Sequence, residues 1–200
     1  MTPLNAPRVK LAALSHWRGL FTAGLLLVLS GCPAWASTDT FAARIRQASL
    51  IEGDSHWLLQ AHIDYQLSPT AKEALLKGIP LSWLILIEIR APGQLWDSVL
   101  YRQKLPYRLR FHALLNQFEV STPGKRSEMF LTLNAALGFM AALHDAKPIT
   151  ASQLPAGQPL ELALKTRFQR ESLPVPLRPF TYLDSQWFLS SDWYLWPIPR

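Results

Sequence analysis

Two hundred residues, of which 49% are hydrophobic and 17% charged, have the composition of a globular protein, give no reason to expect general disorder, and are of the length expected for one domain. The formal charge of +6 raises nucleic acid as a partner, but neither a zinc-ligand spacing nor an aromatic RNA-binding signature is present, which sets that class aside. With one cysteine there is no intramolecular disulfide.

The chain opens with residues 1–19, whose only charges are positive, followed by an apolar run over 20–29 and then small residues. That order is the charged, apolar and cleavage regions of an export signal, and the apolar run is too short for an ordinary membrane span. A signal peptide over 1–36 and a single β-rich domain over 37–200 are expected. Arg8, Lys10 and Arg18 leave with the leader and no acid does, so +6 falls to +3 and the pI of 9.7 overstates the basicity of the mature domain.

Two processing sites compete. Ala34-Trp35-Ala36 fits the small-x-small site of the general signal peptidase, releasing a periplasmic domain that starts at Ser37. Leu29-Ser30-Gly31-Cys32 resembles a lipobox, in which Cys32 becomes the lipid-bearing first residue and the only membrane contact. Pro33 suits a cleavage region and is unusual after a lipidated cysteine. An uncleaved anchor is the third outcome.

Residues 56–67 alternate strictly, with Trp57, Leu59, Ala61, Ile63, Tyr65 and Leu67 on one face, the pattern of a half-buried strand. Ser68-Pro69 reads as a cap and first helical position, and the helix runs to a stop at Gly78. Residues 81–90 are almost wholly apolar, which predicts a strand central in its sheet. Strands follow over 95–104 and 107–112, then a hairpin from Phe118 to Phe130 turning at Pro123-Gly124.

A second short helix is predicted from the cap Thr132 to Leu143, then a loop over 148–159 and a strand over 160–168. The prolines at 174, 176 and 179 make that segment a connector or edge before a last strand over 187–196. The whole predicts a mainly β fold, an antiparallel β-sandwich of immunoglobulin-like kind with two short helices.

Four stretches carry a family resemblance: "LSPTAKEALLKGIPL" at 67–81, "YRLRFHALLNQFEV" at 107–120, "ESLPVPLRPF" at 171–180 and "WFLSSDWYLWP" at 187–197. Together they resemble DUF4390, a family of proteobacterial exported proteins with no assigned activity, over about residues 41 to 197. The Ser191 to Tyr194 stretch is the most specific element. The resemblance implies a cell-envelope setting and, through neighbouring genes in this family, a link to a nitrogen-regulation type sensor kinase. It brings no catalytic residues.

Candidate sites are few. His62 and Asp64 share one strand face about 6–7 Å apart, as a metal or acid-base pair would require, yet with His56, Gln60 and Gln66 they equally make the solvated side of a sheet. His112 and His144 are isolated. Arg108, Arg110 and His112 form a basic stripe opposite Tyr107, Leu109 and Phe111, fit either for lipid headgroups and other anions or simply for water. At the C-terminus Trp193 and Leu195 face one way and Tyr194 and Trp196 the other, as core aromatics or as a docking patch.

Phosphate loops, nucleophile elbows and metal motifs are absent from the sequence. The expectation is therefore a non-enzymatic envelope module without cofactor that binds an envelope protein or membrane sensor kinase, its candidate surface being Arg108, Arg110, Trp193, Tyr194 and Trp196. The alternatives are a carrier of an apolar ligand held between the sheets and a hydrolase using His62 and Asp64.

Overall fold

The computed structural model describes residues 41–53, 56–93, 96–143, 146–150, 154–155 and 157–198. The leader, Cys32 and His144 lie outside the described residues. Among these residues nine strands run in order: β1 (Ala43–Glu52), β2 (His56–Tyr65), β3 (Leu81–Ala91), β4 (Ser98–His112), β5 (Gln117–Ser121), β6 (Glu128–Phe130), β7 (Ile149–Thr150), β8 (Glu161–Phe168) and β9 (Tyr194–Pro197). Three short helices join them: α1 (Pro69–Leu76), α2 (Leu133–Ala141) and α3 (Arg178–Leu183).

The strands form two antiparallel sheets. One has three strands in the order β1-β2-β7; the other has six, in the order β6-β5-β4-β3-β8-β9. β3 is central, as its apolar run demands: Leu81, Trp83, Ile85, Ile87 and Ile89 are fully buried on its inner face. Ile63 and Leu59 of β2, with Ala48 and Leu50 of β1, join the same core. The Tyr65 ring meets Trp83 edge-on at 5.3 Å between the sheets. Each such large side chain, fully buried, contributes about 1.5–3 kcal/mol.

Both expected helices form where their caps stand. Ser68 Oγ accepts from Ala71 N at 3.1 Å and Thr132 Oγ1 from Ala135 N at 3.2 Å. Gly78, at φ +83°, makes the left-handed exit from α1 that a β-carbon would strain.

One strand goes unread in the sequence, and three expectations need correction. β1 is a ten-residue strand that sequence alternation conceals, because a bulge between Ile45 and Gln47 shifts the inward positions from 43 and 45 to 48 and 50. The two strands expected over 95–112 are one, β4, running through Pro106. β5 covers only Arg108 to His112, so beside Pro106 one flank of β4 has no strand asking for an N–H. A third helix, α3, starts inside the proline-rich connector, with Pro179 in its first turn, where two were expected in all.

Finally, the last strand is only β9. Before it, residues 188–193 run beside β8 but bond through hydroxyls. Ser190 Oγ accepts from Phe168 N and Ser191 Oγ from Thr166 N, both at 2.9 Å, while Ser191 N donates to Thr166 O at 2.8 Å. Side-chain oxygens thus occupy places where a ladder uses carbonyls, and the backbone is free to depart from strand geometry.

Candidate functional site

His62 and Asp64 do meet on the outer face of β2, with His62 Nε2 3.1 Å from Asp64 Oδ1. The third group is Arg46, the bulge residue of β1, whose Nε donates to Asp64 Oδ2. That hydrogen bond and the guanidinium charge hold the Asp64 carboxyl below its usual range. Both carboxylate oxygens are therefore engaged, by a cation and an imidazole, in a surface tie between β1 and β2. Among the described residues no three His, Cys, Asp or Glu side chains cluster as a metal site would require. A shallow cavity of about 310 Å³ lies beside His62, lined by Gln47, Ser49, Gln60, Ala61 and Leu143.

His112, isolated in the sequence, pairs across the β4/β5 ladder: its Nε2 lies 2.6 Å from Glu119 Oε2. This hydrogen bond holds the Glu119 carboxyl below its ordinary range.

The basic stripe proves to be part of a larger surface. Arg108 and Arg110 are exposed while Tyr107 and Leu109 are buried, as alternation predicts. Register then adds neighbours on the same outer face of the six-stranded sheet. Arg102 and Lys104 continue the stripe along β4, opposite Glu88 and Leu86. Arg90 stands on β3, and Lys165 and Arg167 on β8, opposite Leu86 and Leu84. Seven cations thus share a face with three carboxylates, Glu88, Glu119 and Glu161.

The carboxylates do not neutralise that face evenly. Glu88, almost fully buried, accepts from Arg90 Nη2 at 2.7 Å and from Arg102 Nε at 2.7 Å. Arg167 pairs with Glu171 at 3.0 Å. Among the described residues Lys104, Arg108, Arg110 and Lys165 make no ion pair. A cleft of about 200 Å³ beside Arg108 is lined by Ser82, Ser121, Thr122 and Gln169.

The C-terminal aromatics divide. Tyr194 and Trp196 pack partly buried against the core. Trp193 lies on the basic face instead, its ring under the Arg90 guanidinium at 4.1 Å and the Lys165 ammonium at 5.7 Å. An aromatic face so placed holds the two side chains by cation–π attraction.

Arg102 and Lys104 could have been found from the sequence, since both lie in phase with Arg108 and Arg110. Arg90, Lys165 and Arg167 could not, because only strand pairing brings them to the same face.

Fold and surface together define a mainly β module of two antiparallel sheets and three short helices. The chain matches the family described as a domain of unknown function (DUF4390) over residues 41–197, and it belongs to that family. No curated protein and no solved structure matches it.

Proposed function

We propose that this protein is an exported, non-enzymatic binding module of the bacterial cell envelope, an antiparallel β-sandwich of immunoglobulin-like kind whose docking surface is the outer face of the six-stranded sheet. One observation carries the reading: seven cations against three strand carboxylates on one face, with Glu171 reaching Arg167 from the following turn and four of the cations without an ion pair among the described residues. Such a field steers and orients an acidic partner more than it binds it tightly. The partner class is an envelope protein with an acidic exposed surface, such as a membrane sensor kinase.

Export is read from the charged and apolar regions of the first 36 residues, with the mature form periplasmic or tethered at Cys32. The sandwich reading is supported by the inward faces of both sheets joining one core. That same space, where an apolar ligand would sit, is filled by Trp83, Ile63, Tyr107 and their neighbours.

The test is in-cell photo-crosslinking from position 108, in the wild-type background and with Lys104→Glu and Arg110→Glu. An envelope protein captured at low salt and lost on charge reversal is the expected result. Equal capture by both proteins would remove the basic face as the docking surface.

A further inference from the structure

The connector after β8 carries an apolar surface that the basic face does not explain. Val175 is 69% exposed, Phe180 66%, Tyr182 57%, Leu183 87% and Phe188 45%. Monomeric proteins seldom gather so many large apolar side chains in one short exposed stretch without a use for them. The backbone beneath is fixed by its neighbours. Leu173, Thr181, Trp187 and Leu189 are buried, Trp187 stacks on Phe168 at 6.1 Å, and Trp83 Nε1 donates to Leu189 O at 3.1 Å. The exposed side chains therefore stay out because the anchored ones alternate with them along a pinned segment.

Charge identifies what they face. Two arginines flank the patch. Arg170 lies over the rings of Tyr182 at 5.3 Å and Phe188 at 4.6 Å, and Arg178 Nε donates to Leu173 O at 2.8 Å. Neither has a carboxylate partner among the described residues. Of the nearby acids, Glu171 pairs with Arg167 at 3.0 Å, and Asp184 caps the following turn, one of its oxygens accepting from Gln186 N at 2.9 Å. A second copy meeting this patch through its own like patch would set Arg170 and Arg178 against the same two arginines. A layer of lipid phosphates receives them directly, and aromatic rings beside arginine are the side chains that rest at the headgroup boundary.

We propose that residues 173–188 form a lipid-docking lobe, with Phe180, Leu183 and Val175 entering the headgroup boundary of an anionic bilayer while Arg170 and Arg178 meet its phosphates. The inference shares the envelope setting of the proposed function but uses a different surface.

The experiment uses the full chain with Cys32→Ser and an environment-sensitive fluorophore on a single cysteine at Leu183→Cys or, as a control, at Leu114→Cys. Leu114 is fully exposed on the β4/β5 turn. Probes are vesicles of phosphatidylcholine alone and of phosphatidylcholine with phosphatidylglycerol. Docking predicts a blue shift at 183 with the anionic vesicles, none at 114, and at least a tenfold weaker transition with Phe180→Ser.

No shift at 183, an equal shift at 114, or equal affinity for both vesicle types would overturn it. So would a shift at 183 that needs no vesicles and grows with protein concentration, because a second copy would then be the occupant. A leader tether brings the protein to the vesicle without burying position 183 selectively. Arg108→Glu with Arg110→Glu leaves the shift intact, so loss of the basic-face reading and loss of this one are separable, and failure of export leaves the vesicle result standing.

Discussion

Single residues explain why an outwardly cationic sheet holds together. Glu88 brings a negative charge into the middle of the basic face, where Arg90 and Arg102 reach it from two strands. Breaking a buried pair leaves the surviving charges uncompensated, at a cost of up to about 3–5 kcal/mol. Because Arg102 is half exposed, Glu88→Gln should cost nearer to 2–3 kcal/mol, read as a lower midpoint in urea unfolding. Ser191 works by the opposite chemistry, as a neutral acceptor. Ser191→Ala strips the buried Thr166 amide of its acceptor and should cost about 1–3 kcal/mol, with Ser191→Thr recovering part of it. The Ser191–Tyr194 stretch thus includes a hydroxyl that replaces a strand carbonyl, which the sequence pattern could not reveal, since a serine in an apolar run reads equally as surface.

At the scale of elements, α1 is more than a connection between strands. The Ser68 hydroxyl caps it and also donates to Gln186 O at 2.7 Å, while Thr70 Oγ1 donates to Gln186 Oε1 at 2.6 Å. The helix therefore pins the segment that leads to the C-terminal strand. Ser68→Ala should cost about 2 kcal/mol, an ordinary cap of about 1 kcal/mol plus the loss of a buried acceptor's partner. Thr132→Ala, at the more exposed cap of α2, should cost about 0.5–1 kcal/mol. Thermal unfolding of the two variants side by side checks the difference. Both caps were legible in sequence; the second bond of Ser68 was not, because its partner lies 118 residues away.

The whole molecule has an acid limb built into its surface ties. The Asp64 and Glu119 carboxyls are both held below their ordinary ranges, by Arg46 and by His112. A carboxyl depressed in the folded state contributes stability above its unfolded pKa, and that contribution is lost as pH falls through the folded value. Stability should therefore be level through neutral pH and decline from the ordinary carboxylate range downwards. Glu119→Gln should flatten that decline while lowering stability slightly at pH 7, measured as unfolding midpoints across pH. Intact mass of the native protein addresses the other end of the molecule: a Ser37 start means a diffusible domain, an acylated Cys32 a tethered one.

Local chemistry alone determined the strands with unbroken alternation, both capped helices, the central place of β3 and the membership of Arg108 and Arg110 in an exposed stripe. Each follows from side-chain period, cap geometry or the hydrophobic character of a short run, all of which act within about a dozen residues. Only tertiary structure decided the rest. A bulge at Arg46 reversed the phase of β1 and hid it, an uncovered flank let β4 pass through Pro106, and serine hydroxyls let residues 188–193 follow β8 without forming a strand. The basic face was decided in the same way. Pairing between residues such as Leu86, Lys104 and Lys165 sets cations from three strands side by side, and sequence separation carries no trace of that proximity.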